Sequence, residues 1–331
     1  MRPLHMLLAE LEEALFIPLA ATPLAQAVGL TPLALAAGVS CLAAQLLLFA
    51  AFSYLLPDGP WRRLPGLTAH QCICFPLMIG LACVGVQDWF LSAAVPTSLS
   101  GRVLDEHRLG GQLAQLVYGE LLLWDIPCGL LVPSLREPLM LAHHFGMAAV
   151  AYATLSPLCS YYAVFFFGAI EVRPGHAPHP LITPAPTTPV PMRRVPPPSP
   201  PCAQVSGIPL SIVDVFHPKH EKHVRRGGGW FEYEKASPLC RAVNELARVC
   251  FAAAYLPLRA VYFPWVVGSQ AVPDMLATLA LPQEERPAAP DAALYGVIGF
   301  GIAFSALQMY WGKLVFTQVL HVLAGPKPKG E

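Results

Sequence analysis

Charge is what this chain has least of. Asp, Glu, Lys and Arg together make up 13% of its 331 residues, about half the share usual in soluble domains. With 55% of the residues hydrophobic, that scarcity excludes an ordinary soluble domain and marks a polytopic membrane protein. Net charge is lacking too, because 21 basic and 21 acidic side chains cancel. No overall field draws the chain to nucleic acid, and none is expected as a partner. The nine cysteines show no disulfide-framework spacing and read as reduced, space-filling residues. Cys72 and Cys74 lack the second pair that a zinc site needs, so no metal and no resident cofactor is expected. The uninterrupted apolar core of a signal peptide is also missing, since Glu10, Glu12 and Glu13 break it. Residues 4–19, within an N-terminal segment 1–29, read instead as an amphipathic helix lying on the membrane.

What the chain does have is long apolar runs. Seven segments approach or meet the roughly 20 residues that cross a bilayer: 30–56, 67–93, 110–132, 138–154, 156–172, 239–267 and 293–323. The expected fold class is therefore all-α, with about seven transmembrane helices between residues 30 and 323 and a tail over 324–331. The fourth and fifth, joined by "TLSPLC", are expected to form a tight helical hairpin. Pro127 and Pro133 in the third span, and Pro257 and Pro264 in the sixth, are expected to kink their helices. Thirteen Lys and Arg fall in the first, third and fifth connections and the tail, against four in the remaining segments. That asymmetry predicts a cytosolic C-terminus.

The fifth connection contains "RPGHAPHPLITPAPTTPVPMRRVPPPSPPCAQ", residues 173–204, whose proline content predicts an unfolded, partly polyproline II excursion. Removing Val172 to Gln204 joins two apolar flanks into one segment. Both a family-specific insertion and a retained intron fit that pattern. Further on, His217, His220 and His223 recur at every third position. A basic loop at the headgroup surface accounts for them better than a metal site does.

Ionisable residues at bilayer depth are costly and face a cavity or a partner. Asp88, Glu120, Asp125, His143, His144, Glu171, Glu245, Arg248, Arg259 and Lys313 fall in or at the ends of the apolar segments. Asp88 and Arg259 are placed to snorkel, and Glu245 and Arg248 to neutralise each other. Glu120, Asp125 and the adjacent His143 and His144 lack such a local explanation. Neighbours on a helix point about 100° apart, so one histidine would face a chamber while the other anchors to a neighbouring helix. An imidazole beside a carboxylate such as Asp125 is oriented and made more basic, as general-base or nucleophilic acyl chemistry requires. Polar residues joining helices without any chemistry would look the same in sequence.

In order, the chain carries "WRRLPGLTAH", "GELLLWDIP", "LREPLMLAHHFGMAAV", "YYAVFFFGAIE" continuing to "VSGIPL", "ASPLCRAVNELARVCFAAAYLPLRAVYFP" and "LQMYWGKLV". Over most of residues 60–323 this resembles the TLC domain family, which unites ceramide synthases, translocon-associated membrane proteins and a neuronal ceroid-lipofuscinosis protein. The resemblance implies a helical barrel around a lipid chamber, located in the endoplasmic reticulum or Golgi and acting in sphingolipid or acyl-lipid homeostasis. It implies functional roles for His143 and His144 and, at the acidic position before them, Asp125. Glu120, Glu171 and Trp311 are further candidates for the chamber wall. Ceramide synthases follow the histidine pair with an "HD-x-x-D" stretch in the next span. Here "FFFGAIE" stands there, which is closer to the non-ceramide-synthase branch. The alternative is an N-acyltransferase of the ceramide synthase type with acyl-CoA as substrate; a transporter or channel is a third reading. Membrane lipids are the expected partners, with a homo-oligomer or heteromer compatible with the sequence. The tail, "KPKGE", resembles a dilysine signal for coat-protein retrieval through Lys327 and Lys329.

Overall fold

The computed structural model describes residues 10, 12–91, 96, 98–156, 158–168, 207–224, 228–287 and 289–324. Glu171, the proline-rich segment and the two tail lysines lie outside them. Among the described residues all regular structure is helical.

Helix α1, Pro32–Leu55, begins where the Thr31 side chain accepts a hydrogen bond from Ala34 N (3.2 Å). Pro32 occupies its first turn, where an N–H is not needed. Helix α2 is Pro65–Leu91. Helix α3 runs from Arg108–Glu120 through a π-helical turn, Leu121–Asp125, into Ile126–Leu131. Then come α4 (Pro138–Ala153), α5 (Ser160–Phe167), α6 (Gly207–Val215) and α7 (Trp230–Ala236). The last two are α8, Pro238–Leu279, and α9, Asp291–Leu323.

Four of these, α1, α2, α8 and α9, are long and apolar enough to cross a membrane. Helix α3 is comparable in length but carries Gln112, Gln115, Glu120 and Asp125. Helices α4, α5 and α6 are shorter, at 16, 8 and 9 residues. The expected sixth span ends far later than its apolar run suggests, because α8 continues unbroken for 42 residues. Its prolines are absorbed by π-helical turns, Leu256–Tyr262 around Pro257 and Val267–Ala271 just before Pro273. A wider turn re-registers the backbone where proline supplies no N–H, so the helix continues instead of stopping. The turn before Pro127 in α3 has the same character, whereas Pro133 lies just beyond the end of α3, after Val132.

The expected α4–α5 hairpin takes another form, since both helices pack mainly on α3. The core around α3 gathers Leu113, Val117, Val164 and Phe167, and a second aromatic core gathers Phe165, Phe263 and Phe304. Helices α1 and α3 nearly touch: a Cβ at Gly119 would lie 1.9 Å from the Ala34 carbonyl oxygen. Small residues permit such an approach without aqueous driving force. The N-terminal turn Glu12–Phe16 also packs on α1, burying Phe16.

Helices α5 and α6 lie one after the other along α2. Gly168 abuts Gly85, Ser211 Oγ reaches Met78 Sδ (3.9 Å), and Gln71 Nε2 donates to Asp214 Oδ2 (3.4 Å). The connections assemble at two ends of the bundle. At one end Trp61 meets Trp230 (6.1 Å) and Lys219 pairs with Glu137 (3.2 Å). At the other, Arg102 pairs with Asp274 (3.3 Å) and Arg286 with Asp291 (2.5 Å).

Candidate functional site

Four helices converge on the last residue of the α3 π-turn, the buried Asp125. Its Oδ1 lies 2.7 Å from His70 Nε2 on α2, and its Oδ2 lies 3.0 Å from His144 Nδ1 on α4. An ionised carboxylate can only accept, so each imidazole presents an N–H to it. For neutral rings this fixes both tautomers. His70 keeps Nδ1 as an acceptor, 3.4 Å from Cys74 Sγ. His144 keeps a bare Nε2, an available base.

The ring of His70 stacks on Trp124, with centroids 4.8 Å apart. The Trp124 indole N–H donates to Gln45 Oε1 (3.3 Å), and the Gln45 amide donates to the Gly66 carbonyl (3.1 Å). The carboxylate is thus supported by a connected polar network across α1, α2 and α3. Such a network holds one geometry because a broken link would strand a buried polar group.

His143 and His144 diverge as their spacing requires, the second toward Asp125 and the first toward α9. His143 lies flat on Phe304 (5.0 Å, 12°) and edge-on to Trp311 (6.2 Å). Its Nδ1 is buried without a hydrogen-bond partner among the described residues. Trp311 therefore belongs to the surroundings of His143. Glu120, one turn before Asp125, is partly buried, and its carboxyl group makes no hydrogen bond or ion pair among the described residues. Glu171 lies outside the described residues. A groove of about 500 Å³ opens between α8 and α9, but neither histidine of the pair nor Trp311 lines it.

Sequence reasoning passed over His70. The signal was available: it is another ionisable side chain within the apolar run of α2, and the rule that selects Asp125 selects it too. Two further polar groups pair elsewhere in the bundle. Asp274 is buried within α8, paired with Arg102 (3.3 Å) and accepting a short hydrogen bond from the Tyr162 hydroxyl. Asp88 pairs with His107 Nε2 (3.2 Å) instead of snorkelling. Glu245 and Arg248 approach to 4.0 Å on the surface of α8.

At the end of the bundle bearing Trp61, Lys219 joins Asp214 (2.7 Å) and Glu137 (3.2 Å). Burial opposes the charge on Lys219, but the two carboxylates outweigh it and hold its pKa above the ordinary lysine value. His220 is buried 3.5 Å from Asp214, and His217 Nδ1 accepts from Lys219 N (3.1 Å), capping the 3-10 turn Pro218–His223. Among the described residues no group of three or more His, Cys, Asp or Glu side chains is disposed to hold a metal ion. No family model, curated protein or solved structure matches this chain, so its functional reading rests on these side chains.

Proposed function

We propose that this is a TLC-type membrane protein of lipid homeostasis. Its chain crosses the bilayer about seven times, and a site at Asp125, His70, His144 and His143 faces acyl lipid. The observation that carries the reading is the Asp125 carboxylate bridging two imidazoles inside an apolar bundle. A titratable trio is an expensive way to join helices, and it sits at bilayer depth where such residues mark function. The three further crossings, by α3, by α4 and by α5 with α6, are favoured by where these helices begin and end, at the same two ends as the four long ones. Among the described residues Arg62, Arg63, Arg136 and Lys219 lie at one of those ends, which favours a cytosolic C-terminus and residence in an internal membrane such as the endoplasmic reticulum.

The orientation of His144 favours a second reading, N-acyl transfer from acyl-CoA. In that reaction a lipid amine attacks the thioester carbonyl and gives up its proton to His144 Nε2, while the thiolate of coenzyme A departs and takes up a proton. Asp125 holds the ring and steadies the imidazolium.

Purified protein in vesicles, offered long-chain amines with a panel of acyl-CoA thioesters and read by mass spectrometry, separates the two readings. An N-acylated product that disappears in a folded His144→Ala variant establishes transfer. Absence of product, with lipid retained by the wild type and released by His143→Ala/His144→Ala, establishes a holding role. If the double variant keeps both its lipid and its stability, the site is neither.

A further inference from the structure

Most charged side chains within the long apolar helices find partners in the protein: Asp88 with His107, Asp274 with Arg102, and Glu245 with Arg248. Lys313, in α9, differs. Its ammonium makes no hydrogen bond or ion pair among the described residues. A cation left within the hydrocarbon is costly, so the lysine stem has to carry its ammonium to water or to a lipid headgroup.

Lys313 lines the groove of about 500 Å³ between α8 and α9, together with Leu256, Pro257, Val261, Met309 and Phe316. Two local features form it. The π-helical turn Leu256–Tyr262, entered through Pro257, widens α8 at this level. Gly312 brings α9 against it, since a Cβ at that position would lie 2.5 Å from Ala260 Cβ. The wall faces away from the bundle, with Val261, Met309 and Phe316 all exposed. Its volume is within the range of small-molecule sites, roughly 300–1,000 Å³.

Depth identifies the occupant. Ten residues separate Lys313 from the end of α9 at Leu323, about 15 Å of helix. The helix as a whole, about 50 Å long, exceeds the roughly 30 Å hydrocarbon layer. The long lysine stem therefore brings its ammonium to headgroup level, at the end where Arg62, Arg63, Arg136 and Lys219 also gather. We infer that the groove holds one acyl chain of an anionic glycerophospholipid, drawn from the leaflet at the basic end, with its phosphate on Lys313. Leu307, Tyr310 and Lys313 match a spacing suggested for sterol contact, but Tyr310 does not line the groove. The inference is independent of the Asp125 site and goes beyond the function proposed from it.

The test uses the full chain in phosphatidylcholine nanodiscs containing a minor fraction of phosphatidylserine, with retained lipid counted by native mass spectrometry. Wild type and Lys313→Arg should each keep one phosphatidylserine. Lys313→Gln should lower its occupancy about fivefold, the effect of one basic group at a membrane surface. Val261→Trp, which fills the groove, should exclude the lipid in a variant whose helix content and melting are unchanged. The inference is overturned if Lys313→Gln keeps phosphatidylserine as wild type does. It is equally overturned if phosphatidylcholine is retained in preference, or if Val261→Trp dissolves a dimer instead of releasing lipid.

Discussion

Asp125 and Asp274 are both buried carboxylates on helices interrupted by π-turns, and each joins two partners, yet the partners differ in kind. Asp274 holds a guanidinium and a phenol, Arg102 and Tyr162, and a guanidinium can only donate. Asp125 holds two imidazoles, His70 and His144, a side-chain type that can both donate and accept a proton. The first arrangement can only hold helices together. The second can hold them and also move a proton, and it leaves His144 Nε2 available for the purpose. Burial alone therefore does not separate a brace from a candidate site; the chemistry of the partners does.

The sharpest way to break the comparison is to remove each carboxylate. Asp274→Ala leaves the Arg102 charge without its counter-ion in the bundle, and such losses cost about 3–5 kcal/mol. Thermal unfolding of the purified variant should show a large destabilisation, and, if the Asp125 site holds lipid, that holding should persist in whatever fraction stays folded. If Asp274→Ala melts like wild type, that node is not the brace it is taken for here.

Asp125→Asn is a subtler change with the opposite profile. One side of the amide donates, and must face an imidazole that also donated to the carboxylate, so one link of the network is lost. The expected cost is about 1–3 kcal/mol. If acyl transfer is the function, turnover should fall by about 10²–10⁴ because the base loses its orientation. A variant as active as wild type would reduce Asp125 to the role of Asp274.

The helical class, the four long apolar helices and the divergence of His143 from His144 were all legible in the sequence, because hydropathy and the 100° step are local properties. The Asp125–His70 pair was not, since it joins residues 55 positions apart on different helices, and only packing sets that distance. The continuation of α8 beyond residue 267 was equally hidden, because the apolar run fades there and Pro273 lies ahead, while a π-turn carries the helix on. Asp274 was hidden for a related reason: the apolar run fades before it, yet the structure keeps it within α8 and pairs it with Arg102 of the connection before α3.

Deleting Val172 to Gln204 tests the scaffold shared by both carboxylates. Gly168 and Asp214 lie against Gly85 and Gln71 of α2, about 21 Å apart along that helix. With the insertion removed, about thirteen helical steps remain between Gly168 and Asp214, spanning roughly 20 Å. The two lengths agree, so the shortened chain should fold with a melting temperature within a few degrees of the full one, and with the Asp125 and Asp274 variants ranked as before. Loss of folding would mean that α5 and α6 are not parts of one crossing.

The smallest effect belongs to a histidine outside the membrane, where water is at hand. Burial, and then the charge of Lys219, hold His217 below its ordinary pKa, against the opposing pull of Asp214; His220 and Arg248 add to the lowering. A depressed folded pKa means that the unfolded chain takes the proton more readily. The contribution to stability is therefore complete above the unfolded value of about 6.5 and is lost as pH falls through the folded value. Protonation also breaks the cap, because Nδ1 accepts from Lys219 N (3.1 Å) and cannot do so once protonated. Amide exchange at Lys219, corrected for its intrinsic rate, should lose protection on acidification in wild type. His217→Asn, which caps without titrating, should be flat over the same range. A parallel loss in both would place the pH response elsewhere at that end, in His220 or His223. A loss confined to wild type would show that an imidazole can sense protons without belonging to the Asp125 site, so titration alone does not mark a site.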